Sequence, residues 1–140
     1  MEHYITEMTL DRYDELITFW HNTEGIWNSD DDDYANLQRL LQRNPGLSLV
    51  VLHEDRIIGT VKCSHDGGRG YLHHLAVNKE FRNRGIGHEL VLRCLQGLRK
   101  EGIKKTRIFV LDTNSANLGF WKNLGFDEKI YDYRTLEFED

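Results

Sequence analysis

Leu75-Ala76-Val77 is followed, after a polar loop, by Arg82-Asn83-Arg84-Gly85-Ile86-Gly87 and then by apolar residues at Leu90, Val91, Cys94, Leu95 and Leu98. The first three read as the end of a buried strand, the last five as one face of a helix. Between them lies a helix N-terminus whose first amides have no partner inside the helix. Gly85 and Gly87 let another group approach that backbone, and Arg82 and Arg84 add positive charge. Amides, dipole and guanidinium groups together suit an anion, a pyrophosphate above all. Taken alone, the same residues equally fit an ordinary strand-to-helix turn with solvent-facing arginines. A Walker loop is disfavoured because His88, not Lys, follows Gly87. A dinucleotide fingerprint fails at its last position, Leu90.

The elements that must position this turn belong to a chain of 140 residues with 39% hydrophobic content, enough for one domain with a real core over residues 1–140. A net charge of −5 argues against nucleic-acid binding, which calls for a strongly basic surface. Cys63 and Cys94 form no CxxC, and the start Met1-Glu2-His3-Tyr4-Ile5 lacks the marks of a secretion signal. No apolar run approaches the ~20 residues of a bilayer span. The expectation is a soluble, cytoplasmic protein with no membrane partner.

Tyr4 to Met8 reads as a first strand. Thr9 is expected to cap a helix to about His21, and a second helix follows the Ser29–Asp33 run and ends at Asn44-Pro45-Gly46. Leu47–Leu52, Arg56–Ser64 and Gly70–Val77 are β-rich, and a long helix runs from Gly85 to about Glu101. Thr106–Leu111 follows as a strand, Asn114 can cap a helix to Leu124, and Phe126–Ile130 and Tyr133–Phe138 close the chain as strands. The order β-α-α-β-β-β-α-β-α-β-β predicts an α/β (α+β) fold: a mixed sheet of about seven strands flanked by about four helices, with one parallel β-α-β crossover.

Three segments in this order resemble the GCN5-related N-acetyltransferase (GNAT) superfamily. Its pyrophosphate motif Gln/Arg-x-x-Gly-x-Gly/Ala is matched by Arg82–Gly87, and Tyr71-Leu72-His73-His74-Leu75-Ala76-Val77 looks like its fourth strand. Asn114-Ser115-Ala116-Asn117-Leu118-Gly119-Phe120-Trp121 through Gly125-Phe126 is similar to its Asn-x-x-Ala-x-x-Phe-Tyr-x-x-x-Gly-Phe segment. The resemblance implies the GNAT fold and acetyl-CoA as co-substrate, with no metal. Backbone of Leu75, Ala76 and Val77 would hold pantetheine, and Arg82, Asn83, Arg84, Gly85, Ile86, Gly87 and His88 the pyrophosphate. Asn114, Asn117, Phe120 and Trp121 would line the other wall, although a plain helix cap explains Asn114 equally well and core packing explains Phe120 better.

The implied reaction is acetyl transfer to a primary amine of a small metabolite or a peptide N-terminus. A lysine-like amine with pKa ~10.4 costs about 4–5 kcal/mol to deprotonate at neutral pH, and an α-amino group near ~8 only about 1.4 kcal/mol. His73 is the expected base, with Tyr71 on the same strand face and His74 on the other. Serotonin N-acetyltransferase carries its proton-removing histidines at the two positions that Tyr71 and His73 match. A hydrogen-bonded core histidine is the competing reading of His73. Trp121 stands where the family has its general-acid tyrosine, and an indole N–H is a donor only. That leaves solvent, Tyr131 or Tyr133 to protonate the thiolate, and it keeps open a non-catalytic acyl-CoA-binding or regulatory domain.

For the acceptor, Trp27 stands beside four consecutive aspartates, Asp30–Asp33, an acidic and aromatic stretch that suits a cation. A solvated helix start explains most of those aspartates better. Asp66-Gly67-Gly68-Arg69-Gly70 resembles a segment of bacterial members, and Arg69 could receive a carboxylate bidentately. An amino-acid-like metabolite or a peptide end follows, with acetylation of a ribosomal-type protein N-terminus as the alternative. Superfamily members often dimerise, so the resemblance also admits a homodimer.

Overall fold

The computed structural model describes residues 2–23, 26, 30–108, 115–128 and 134–138, with backbone alone at 30 and 115–118. They fall into two compact units, Met1–Phe109 and Val110–Asp140. The first contains β1 (Tyr4–Glu7), a 3-10 turn at Leu10–Arg12, α1 (Tyr13–His21), a 3-10 turn at Asp30–Asp32 and α2 (Tyr34–Arg43). It continues through β2 (Leu49–His53), β3 (Arg56–His65), β4 (Arg69–Val77), a 3-10 turn at Lys79–Phe81, α3 (Ile86–Lys100) and β5 (Lys105–Ile108). The second contains α4 (Ser115–Asn123).

The strands form one sheet in the order β1-β2-β3-β4-β5. All neighbours are antiparallel except β4 and β5, which are parallel and joined through α3. Strand alternation sends the two faces to different helices. On one, Leu16 and Trp20 of α1 and Leu37 of α2 close a core with Met8, Val50, Leu52 and Ile57. On the other, α3 buries Ile86, Leu90, Val91, Cys94 and Leu98. Two glycines let α3 come close. A Cβ on Gly70 would lie 2.6 Å from Leu98 Cδ1, and one on Gly97 2.9 Å from Leu47 Cδ2.

The mixed sheet with helices on both faces is the expected fold class, with five strands among the described residues where about seven were expected. The described parts of the last two expected strands, 126–128 and 134–138, carry no ladder. Leu136 and Phe138 are 81% and 89% exposed. Alternating apolar residues give a segment two faces but supply no partner strand. Residues 129–133, and 109–111 at the end of the expected fifth strand, lie outside the described residues. Thr9 flanks the 3-10 turn rather than α1 and makes no side-chain cap bond, whereas Asp33 caps α2 by accepting from Asn36 N–H at 2.8 Å.

The sheet is interrupted where chemistry was expected. Thr60 pairs with Ala76 but Lys62 pairs with His73, so His74 and Leu75 together oppose Val61 in a β-bulge. His74 takes a left-handed φ of 52°, a conformation that histidine tolerates better than most residues. Thr60 Oγ1 donates to the His74 carbonyl at 2.9 Å and accepts from Trp20 Nε1 at 2.9 Å. Thr60→Val keeps the shape but leaves a buried N–H and a part-buried carbonyl without this partner. At about 1–3 kcal/mol for each orphaned group, a loss of about 2–6 kcal/mol is expected. Urea unfolding followed by tryptophan fluorescence measures it, and an unchanged midpoint would show that the hydroxyl does not hold the bulge.

Candidate active site

Tyr71 and His73 lie on one face of β4, their rings stacked with centroids 6.4 Å apart at 19°. Lys62, the register partner of His73, is the one charged side chain in the apolar run of β3 from Ile57 to Cys63. A buried ammonium needs a counter-ion. Asp32 provides it from the 3-10 turn between α1 and α2: Lys62 Nζ lies 2.6 Å from Asp32 Oδ1. The second carboxylate oxygen, Oδ2, is 2.5 Å from His74 Nε2. The Asp32, Lys62 and His74 side chains are only 7%, 10% and 15% exposed, so the three groups meet largely away from water. Trp20 packs its ring edge-to-face on His74 at 4.9 Å, and Lys62 Nζ lies 5.9 Å from the same indole.

The bulge therefore corrects one expectation: His74 does not take the opposite face from His73 but meets Lys62 on the same one. It also withdraws Asp32 from the acidic stretch, since both oxygens are engaged within the fold. Burial alone would raise the Asp32 pKa; hydrogen bonds from His74 and Lys62 and their positive charge outweigh it and hold the carboxyl below its usual range. His73 moves below the usual imidazole range because it is buried, with Lys62 and His74 adding to the effect and Asp32 opposing it.

Beyond β4 the chain reaches the basic turn. Asn83 and Gly85 both adopt left-handed φ, 63° and 80°. Gly85 is the N-cap of α3 with no side-chain cap bond, so the first amides of Ile86, Gly87 and His88 have no partner from a capping side chain. Arg82 Nε donates to the Val77 carbonyl at 3.0 Å, tying the turn to the end of β4, and the Arg84 guanidinium lies 5.5 Å from the Phe81 ring. The conformation and the positive charge are of a kind that suits an anion.

Asp66 builds its own turn: Oδ1 accepts from the Gly68 and Arg69 amides at 2.9 and 2.8 Å, and Oδ2 from the Tyr71 hydroxyl at 3.2 Å. Those amides hold its pKa below the usual range. Arg69 is exposed at the start of β4. Cys63 and Cys94 are buried and reduced, and the hydrogen bond to Cys63 together with burial pushes the Cys94 thiol far up, which suits packing. In the second unit, Gly125 at φ 93° ends α4 in a Schellman turn, with Phe126 N–H bonding the Trp121 carbonyl at 3.1 Å and Gly125 N–H the Lys122 carbonyl at 3.0 Å. Trp121 packs edge-to-face with Phe120 and Phe126, at 5.0 and 5.2 Å. Trp27, Asn114, Tyr131 and Tyr133 lie outside the described residues, as does the Asn117 side chain. Among the described residues no helix is long and apolar enough to cross a membrane, and no three His, Cys, Asp or Glu side chains converge to hold a metal.

Asp32, Lys62 and His74 are the site residues the sequence reading did not bring together. The lone lysine of β3 was the available signal, because a charge inside an apolar strand demands a distant partner.

A pH dependence of stability follows. Asp32 is more acidic folded than unfolded, so its contribution is fully present above the unfolded value of ~3.9 and is lost as pH falls through the lowered folded value. At pH 7, Asp32→Ala strands Lys62 without its counter-ion, a change that costs about 3–5 kcal/mol in buried pairs. The gap between Asp32→Ala and the unsubstituted protein should shrink below about pH 4 in denaturation curves; a gap independent of pH would contradict the ionised cluster.

A family model described as the acetyltransferase (GNAT) family matches residues 11–126. An acetyltransferase of Pectobacterium atrosepticum is 31% identical over 119 residues, spanning 84% of this chain and 82% of that protein. PaiA N-acetyltransferase from Thermoplasma acidophilum, crystallised in complex with coenzyme A, shares the fold with a TM-score of 0.82 at 20% identity, covering 94% of each chain. A GNAT-family acetyltransferase from Staphylococcus aureus Mu50 has the same TM-score of 0.82 at 22% identity, over 92% of this chain and 87% of its own. With the family model spanning most of the sequence and its motifs in order, the chain belongs to the acetyltransferase (GNAT) family of acyltransferases.

Proposed function

We propose that residues 1–140 act as one cytoplasmic N-acetyltransferase domain that moves the acetyl group of acetyl-CoA to a primary amine of a small metabolite or a peptide N-terminus. The observation that carries this reading is the basic turn after β4. Left-handed Asn83 and Gly85 lead into the α3 amides without a side-chain cap, beside Arg82 and Arg84. In this reading those amides receive the pyrophosphate and the backbone of Leu75, Ala76 and Val77 the pantetheine arm. Asn114, Asn117, Phe120 and Trp121 are assigned to the same ligand on the family resemblance. The coenzyme A complex of the Thermoplasma acidophilum protein supports the choice of donor.

The amine attacks the thioester carbonyl carbon. The C–N bond forms, the C–S bond breaks, and the sulfur leaves as a thiolate that gains a proton. The enzyme must remove a proton from an ammonium-form acceptor, and His73, stacked with Tyr71 on one face of β4, is assigned as the base in this reading. Exposed Arg69 and the acidic stretch near Trp27 favour an acceptor that carries both an amine and a carboxylate.

A non-catalytic acyl-CoA-binding domain is the second reading, favoured by one observation: Trp121, packed between Phe120 and Phe126, offers no phenol. A thiol-release screen over amino acids, polyamines, aminoglycosides and short peptides separates the two. Turnover of one acceptor class is expected, whereas coenzyme A binding without thiol release from any amine would favour the binding domain. Arg82→Ala should raise the acetyl-CoA KM about tenfold, the equivalent of ~1.4 kcal/mol, with kcat little changed. An unaltered KM would remove the pyrophosphate assignment.

A further inference from the structure

Five elements end or begin together at the end of the sheet away from the basic turn. Asn44, the C-cap of α2, accepts through Oδ1 from the His65 N–H of β3 at 2.9 Å, and His65 Nε2 lies 3.0 Å from Glu101 Oε1 at the end of α3. Arg69 at the start of β4 is the register partner of Lys105 at the start of β5. α3 begins at the basic turn and finishes here, so its 15 residues put about 22 Å between the two.

This end is basic in a chain whose net charge is −5. Arg43, Arg69, Arg99, Lys100, Lys104 and Lys105 are all exposed, and among the described residues none of these side chains is in an ion pair. The acids nearby are engaged by other groups. Glu7 Oε1 accepts from the Gly46 N–H at 3.1 Å, Asp66 from the Gly68 and Arg69 amides and the Tyr71 hydroxyl, and Glu101 meets His65. The dipole of α3 accounts for Arg99 and Lys100 in its last turn, but not for Arg69 and Lys105. Like charges at partner positions of adjacent strands repel. An anion seated between Arg69 and Lys105 turns that repulsion into attraction.

We propose that this end of the sheet docks an acidic segment of a partner protein, one that presents several carboxylates in a row. Arg69 and Arg99 offer planar forks that take a carboxylate bidentately, and the three lysines act as point charges around them. Nucleic acid is the poorer match. A long polyanion would run past the six cations onto a surface that carries the chain's excess of acids. Tyr71, the aromatic residue of β4 nearest Arg69, is bonded to Asp66 and stacked on His73, which withdraws it from stacking on a base. Docking here is independent of the acetyltransferase reading.

Fluorescence anisotropy of a labelled glutamate-rich peptide, titrated with the full chain, tests this. The peptide should bind at low salt and weaken as salt rises, as contacts between exposed charges do. Lys104→Glu/Lys105→Glu should weaken binding about tenfold or more, because each reversal replaces an attraction with a repulsion. Arg56→Glu/Lys79→Glu makes the same change in net charge at the starts and ends of strands on the basic-turn side. It should leave the Kd within about twofold. Unchanged urea midpoints would establish that both double variants are folded. Saturating coenzyme A should not displace the peptide. Equal losses in the two double variants would overturn the proposal, since net charge alone would then govern binding. So would displacement by coenzyme A, tighter binding of an RNA of equal charge, or no binding by the unsubstituted protein at low salt. Failure of the acetyltransferase reading shows separately, as no thiol release with any amine.

Discussion

The Thr60 hydroxyl stands between the Trp20 indole and the His74 carbonyl, accepting from the first and donating to the second. A bulge takes a carbonyl out of the ladder, and a buried carbonyl must find a donor elsewhere. Here the donor is a side chain of the neighbouring strand, whose own lone pair is used by a helix packed on that face. Strand, bulge and helix are thus locked by two hydrogen bonds through one oxygen. The left-handed backbone at His74 is tolerable because this surrounding structure over-determines it.

The charges on the same face obey a harsher rule. Removing a carboxylate and an ammonium from water is expensive, and their mutual attraction repays the cost only when the remaining lone pairs are satisfied. Asp32 meets that condition with one oxygen for Lys62 and the other for His74. The acidic run from Asp30 to Asp33 thereby divides its labour: Asp32 turns inward, and Asp33 caps α2.

What could be read from the sequence follows from how local each feature is. The basic turn was legible because glycine and arginine act where they stand: Gly85 has the left-handed φ that its type suggests, and α3 begins directly after it. The parallel crossover was legible from period and order alone. The bulge was not, because one extra residue within Tyr71–Val77 changes neither composition nor hydrophobicity, and strict alternation places His74 on the wrong face. The Asp32–Lys62 pair spans thirty positions of sequence, so no local window contains it. In the closing segments the described residues have the alternating pattern but carry no ladder, and 129–133 lie outside the described residues.

Gly70 and Gly97 set how low α3 sits on the sheet, through the missing side chains against Leu98 and Leu47. Gly97 in α3 and the Leu98 contact of Gly70 both lie toward the C-terminal end of the helix, far from its amide-bearing start. Because a helix is stiff, a side chain at either position would lift that end of α3 and tilt the helix whose other end carries the basic turn. The height of the basic turn is thus set from the far end of the helix that follows it.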